Sequence, residues 1–68
     1  MKYFYEYKEK NGAKVGGHNL EEIKIIDGYI KLMGIDIIND TPHYWGTMLD
    51  MKNIEYLTII PMEEKNNF

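Results

Sequence analysis

Few side chains in this 68-residue chain have the chemistry to attack a substrate, move a proton or hold a metal. There is no serine and no cysteine, so nucleophilic catalysis would fall to Thr41, Thr47 or Thr58, and none of the three sits in a motif that supplies a base. Of the eleven acidic residues, Asp27, Asp36, Asp40 and Asp50 could in principle form a carboxylate pair for acid/base work. Asp27 and Asp40 fall in turn sequences, where aspartate serves the backbone, and Asp36 alternates with Ile35 and Ile37 and is expected to be solvated. His18 and His43, with a carboxylate such as Asp40, have the donor types for zinc or nickel, but their spacing matches no ligand signature. Gly16-Gly17 lacks the surroundings of a phosphate loop and reads as turn or bulge glycine. No catalytic residue, metal or cofactor is therefore expected, and the chain is read as a non-enzyme.

The sequence is richer in contact chemistry. It holds nine aromatic residues, more than a thin core requires, and tyrosine and tryptophan order a large apolar body at small entropic cost while keeping a polar tip. Tyr3, Tyr5 and Tyr7 repeat along one face of a strand, and His43-Tyr44-Trp45 sits where a loop enters another. These six residues are the expected interaction site. The tyrosine row is expected to face a partner, and Trp45 fits a core or an interface equally well. Lys24 and Lys31, with Lys2 and Lys8, could form a basic strip beside Tyr29 for a single nucleic-acid strand, but a solvated face is the expectation.

The elements that must position these residues are strands. Lys2 to Lys8 alternates with period two. Asn11-Gly12 then suits the two positive φ angles of a type I′ turn, so Ala13 to Gly17 should return beside it. Leu20 to Ile38 fits a helix begun at Asn19 with Glu22 at the third position, or a hairpin about Asp27-Gly28. The hairpin is favoured because the run is rich in β-branched isoleucine. Its register sets Ile26 opposite Tyr29, Ile25 opposite Ile30, Ile23 opposite Leu32 and Lys24 opposite Lys31. After Leu32 the apolar parity slips from even to odd, and Gly34 at the slip predicts a bulge or sharp bend. Asn39-Asp40-Thr41-Pro42 is turn chemistry, Tyr44 to Leu49 reads as a strand, and Asp50 to Asn53 as a tight or 3₁₀ turn. Tyr56 to Ile60 is the last strand. The expected fold is mainly β, a small antiparallel barrel or strongly bent sheet of five to six short strands, SH3-like or Sm-like in general architecture. Residues 1–61 form one domain and 62–68 a flexible tail.

Ile23 to Gly34, strand, Asp27-Gly28, strand and glycine, followed by Asp40 and a closing strand with Ile54, Leu57 and Ile59, loosely resembles the core of an Sm-like barrel over roughly half the chain. The polar residue expected after the aspartate, the closing Arg/Lys-Gly pair and a helical N-terminus are departures, so the chain is not assigned to that family. The resemblance implies a ring-forming RNA binder. A net charge of −3, with eight lysines and no arginine, argues against a polyanionic partner.

The absence of cysteine excludes disulfide support, and a lone core of this size supplies only ~3–5 kcal/mol. Self-association as a homodimer or small homo-oligomer is the expected remedy, through the tyrosine face or an N-terminal edge strand. No signal-peptide run or membrane-length apolar stretch is present, so the expected location is cytoplasmic. Heavy use of Ile, Asn, Lys, Tyr and Met fits an AT-rich genome of a low-GC bacterium or its phages. The expected function is a small protein-binding module, an inhibitor or adaptor. Nucleotide or single-stranded nucleic-acid binding by an oligomeric small barrel is the alternative.

Overall fold

A computed structural model describes residues 1–63 and consists of five antiparallel strands in one sheet, with no α-helix among those residues. The strands are β1 (Tyr3–Glu9), β2 (Lys14–Ile26), β3 (Tyr29–Ile38), β4 (Thr41–Asp50) and β5 (Ile54–Pro61), with a 3₁₀ turn over Met51–Asn53. Their spatial order is β4-β3-β2-β1-β5. The sheet bends strongly but does not close, so of the two architectures expected it is the bent sheet. The tail expected over 62–68 lies outside the described residues from position 64 onward. Met62 itself still donates its N–H to the Lys2 carbonyl at 2.9 Å.

Local sequence explains the two tight hairpins. Asp27 (φ 47°) and Gly28 (φ 80°) form one, and Asn39 (φ 52°) and Asp40 (φ 61°) the other. Both positive angles suit a type I′ turn, whose twist matches that of the flanking strands, and Asn and Asp tolerate the left-handed region better than other side chains. The β2–β3 register is the one the isoleucine pattern predicts: Ile26↔Tyr29, Ile25↔Ile30, Lys24↔Lys31 and Ile23↔Leu32.

Three local expectations are corrected. Neither Asn11 nor Gly12 has a positive φ. Here the chain makes a wider turn from Glu9 to Lys14, closed by Gly12 N–H on the Glu9 carbonyl at 3.0 Å and tied down by Lys10 N–H on the Asn53 carbonyl at 2.8 Å. That longer-range bond favours the wider loop over the two-residue one. The expected stop at Gly16-Gly17 is absent, and β2 runs through both glycines for 13 residues. The bulge expected at Gly34 falls on the facing strand. Leu20 pairs with Gly34 and Glu22 with Met33, leaving Glu21 as the extra residue, while the β3–β4 ladder passes Gly34 without a shift. A second irregularity sets Tyr3 to Tyr5 against Gly17 to Leu20. The two shifts meet at Leu20, and Asn19, at φ 64° beside it, lies within the first, so β2 bends there and joins β1 to β3.

The β4 strand begins at Thr41, earlier than the expected Tyr44, with Pro42 paired to Ile37. An edge strand tolerates proline because the missing N–H would point to solvent. From the end of β4 the 3₁₀ turn carries the chain to the opposite edge. Asp50 caps it through Lys52 N–H at 3.0 Å, and Met51 N–H bonds the Gly28 carbonyl at 3.0 Å.

The core is thin. Among the described residues the buried hydrophobics are Leu20, Leu32 and Leu49, with Tyr3, Tyr5, Tyr7, Ile30, Trp45, Ile54, Leu57 and Ile59 packed around them. All lie on one face of the bent sheet, here the inner face.

Candidate functional site

Strand pairing decides where each predicted contact residue points. Tyr3, Tyr5 and Tyr7 face inward against the leucine core, half-buried, so the tyrosine row is core cover and not an open surface. The strand that carries it is not an edge either, since β1 lies between β2 and β5. Trp45 joins the same inner cluster, with its ring centroid 5.6 Å from that of Tyr5, while Tyr5 stacks on Tyr7 at 6.3 Å. His43 and Tyr44 remain exposed, and Tyr44 is 77% accessible. The six expected residues thus divide four to the inner face and two to the surface, with His43 and Tyr44 on opposite faces of β4.

The inner aromatics fill space left by two glycines. A Cβ built on Gly17 would stand 2.5 Å from the Tyr5 hydroxyl oxygen and 2.7 Å from Cζ. One on Gly34 would meet the Asn19 carbonyl oxygen and approach Trp45 Cζ2 to 2.5 Å. Each glycine is the register partner of the aromatic that covers it. Sequence reasoning took these glycines as turn or bulge residues and missed this use. The signal for it was the pairing, which a one-dimensional pattern does not contain.

Asp36 also departs from expectation. It is half-buried at the rim of the inner cluster and accepts a hydrogen bond from Asn19 Nδ2 at 3.0 Å. Burial first, and then the neighbouring Tyr7 and Asp36, raise the Tyr5 phenol above its ordinary value of 10.0. A hollow of about 270 Å³ lined by Tyr5, Gly17, His18, Asp36 and Trp45 opens at this rim. Among the described residues no three His, Asp or Glu side chains converge as a metal-binding group.

On the outer face, β3 and β4 present Met33, Ile35, Ile37, Pro42, Tyr44 and Met48. Tyr44, Ile37 at 59% and Met48 at 54% accessibility are open to solvent. Between them and the bulge lies a groove of about 390 Å³ lined by Glu21, Glu22, Met33, Gly34, Ile35, Tyr44 and Trp45. Its walls are largely apolar, and Glu21 and Glu22, paired with Lys2 and Lys24, form its rim at the β2 bend. Glu21, the extra residue of the bulge, is part of its lining.

Three of the four lysines weighed as a basic strip lie beside glutamates. Lys2 lies 3.8 Å from Glu21, Lys8 3.5 Å from Glu55 and Lys24 3.9 Å from Glu22. Such exposed pairs contribute little stability but neutralise the local field. On the same outer face the exposed Tyr56 hydroxyl donates to Glu6 at 2.6 Å, and that bond raises its phenol above the ordinary value.

No protein-family model, curated protein or solved structure matches this chain. No helix among the described residues is long and apolar enough to cross a membrane.

Proposed function

We propose that the protein is a non-enzymatic interaction module that binds another protein through the outer face of β3 and β4. The observation that carries this is the exposed aromatic Tyr44 at the mouth of an apolar groove with a Glu21 and Glu22 rim. An accessible aromatic beside a concave apolar surface is the usual anchor of a protein contact, and burying it on binding supplies most of the affinity. An inhibitor or adaptor would need nothing more. The absence of serine and cysteine, and the engagement of Asp36 by Asn19, support binding over catalysis.

The test is capture from host extract on immobilised wild-type protein and on Tyr44→Ala, followed by calorimetry with the purified partner. Loss of a hot-spot aromatic should weaken binding by about 2 kcal/mol or more, roughly thirtyfold. Equal capture by the two proteins would refute the reading. Tight, salt-sensitive quenching of Trp45 fluorescence by single-stranded RNA or DNA would replace it with the nucleic-acid reading.

A further inference from the structure

An open sheet has free edges, and the described residues present three. The first is β2 beyond Leu20, where the β1 ladder has ended. The second is β5 and the third β4. Natural edges are blunted with charge or proline to prevent pairing with other chains. The free half of β2 carries Glu21, Glu22 and Lys24, and β5 carries Glu55 and ends in Pro61. In β4 no charged side chain occurs from Thr41 to Leu49, and Pro42 guards only its start.

The hairpin geometry fixes which β4 backbone groups are free. The pair flanking a two-residue turn exchanges both N–H···O bonds, so Thr41 bonds Ile38, and alternate residues from Thr41 onward bond inward. Pro42, which has no N–H to leave unpaired, falls on the outward set. Tyr44, Gly46 and Met48 therefore present both N–H and C=O to the open edge. This set is symmetric about Gly46.

We propose that two copies of the chain pair antiparallel through β4 about a two-fold axis at Gly46. Tyr44 then lies opposite the partner's Met48, Gly46 opposite the partner's Gly46, and about six main-chain hydrogen bonds form. On the outer face this sets an aromatic ring against a thioether, a favourable contact, and no like charges meet. The result is a continuous sheet through both copies. The pairing does not depend on what the groove binds.

Sedimentation equilibrium at micromolar concentration should give twice 8.1 kDa for the wild type. Gly46→Lys and Gly46→Glu should each associate at least about tenfold more weakly, because like charges then face each other across the axis. A Cβ at Gly46 meets nothing closer than 3.6 Å, so circular dichroism of both variants should match the wild type. An equimolar mixture of the two variants should dimerise again, a result that pairing of β4 with β5 would not produce. In the wild type, amide exchange at Tyr44, Gly46 and Met48 should slow as concentration rises, which tests the edge without any variant. A wild-type monomer, unimpaired single variants, a mixture that stays monomeric, or concentration-independent exchange would each overturn the proposal. Tyr44→Ala keeps the main-chain pairing, so a dimer that no longer captures the groove's partner separates this proposal from the previous one.

Discussion

Gly34→Ala should be among the most damaging single-methyl additions in the molecule. The new Cβ would press on the Asn19 carbonyl oxygen and come within 2.5 Å of Trp45 Cζ2 and 2.6 Å of Cε2, where carbon contacts are favourable at about 3.5–4.0 Å. The indole can retreat by about 1 Å only by giving up its packing on Tyr5 and the core leucines. The carbonyl cannot retreat easily, because Asn19 is held at φ 64° within the β1–β2 register shift and by its bond to Asp36. Overpacking of this kind costs about 1–3 kcal/mol, and involvement of the backbone places it near the top of that range. Replacing glycine also narrows the unfolded ensemble, which returns about 0.4–1 kcal/mol. The net destabilisation is about 2 kcal/mol, equivalent to a fall in Tm of roughly 10 °C for a domain of this size. Gly46→Ala is the matched control. It lies on the same ladder one residue past Trp45, yet its Cβ would rest in ordinary contact at 3.6 Å from the Leu32 carbonyl oxygen and 3.8 Å from Met33. It should be neutral or stabilising by up to about 0.5 kcal/mol. Urea unfolding followed by Trp45 fluorescence measures both. If Gly34→Ala is as stable as Gly46→Ala, the indole does not lie on Gly34 and the inner cluster is wrongly described.

Other consequences can be checked in the same way. Because the Tyr5 phenol is raised from 10.0, mainly by burial, the stability from its neutral form is full below pH 10 and is lost as pH rises through the raised folded value. Tyr5→Phe should flatten that alkaline decline relative to wild type, and an identical decline in both proteins would remove the assignment. Asn39→Ala, at φ 52° in the β3–β4 turn, should destabilise by about 1–2 kcal/mol, whereas Asp40→Gly should be neutral or stabilising by up to about 1 kcal/mol. Chemical denaturation of the two variants gives both values, and equal losses would contradict a type I′ turn. Tyr44→Ala, at an exposed position, should leave unfolding within about 0.5 kcal/mol of wild type, and a larger loss would show that Tyr44 is part of the core.

What the sequence determined by itself is what nearest neighbours along the chain dictate. Asp27-Gly28 and Asn39-Asp40 are turns because few other residues tolerate two successive positive φ angles, and the isoleucine alternation around the first set the β2–β3 register residue by residue. The all-β class follows from the same short-range rules. Tertiary structure decided everything that depends on which strands lie side by side. Asn11-Gly12 has the chemistry of a tight turn but is opened by the bond from Lys10 to Asn53, a contact across most of the chain. Tyr3, Tyr5 and Tyr7 have the period of a face, but period alone does not say whether that face meets solvent or core. Packing on the leucine core turned the row inward, and placing β5 on the far side of β1 left β4, with no charge from Thr41 to Leu49, as an open edge. Gly34 sits at the slip in apolar parity, yet the extra residue is Glu21 on the facing strand, because a bulge belongs to a pair of strands and the sequence records only one at a time. The groove beside Tyr44 takes its lining from three strands, β2, β3 and β4, so the candidate site, unlike its residues, could be seen only in the folded chain.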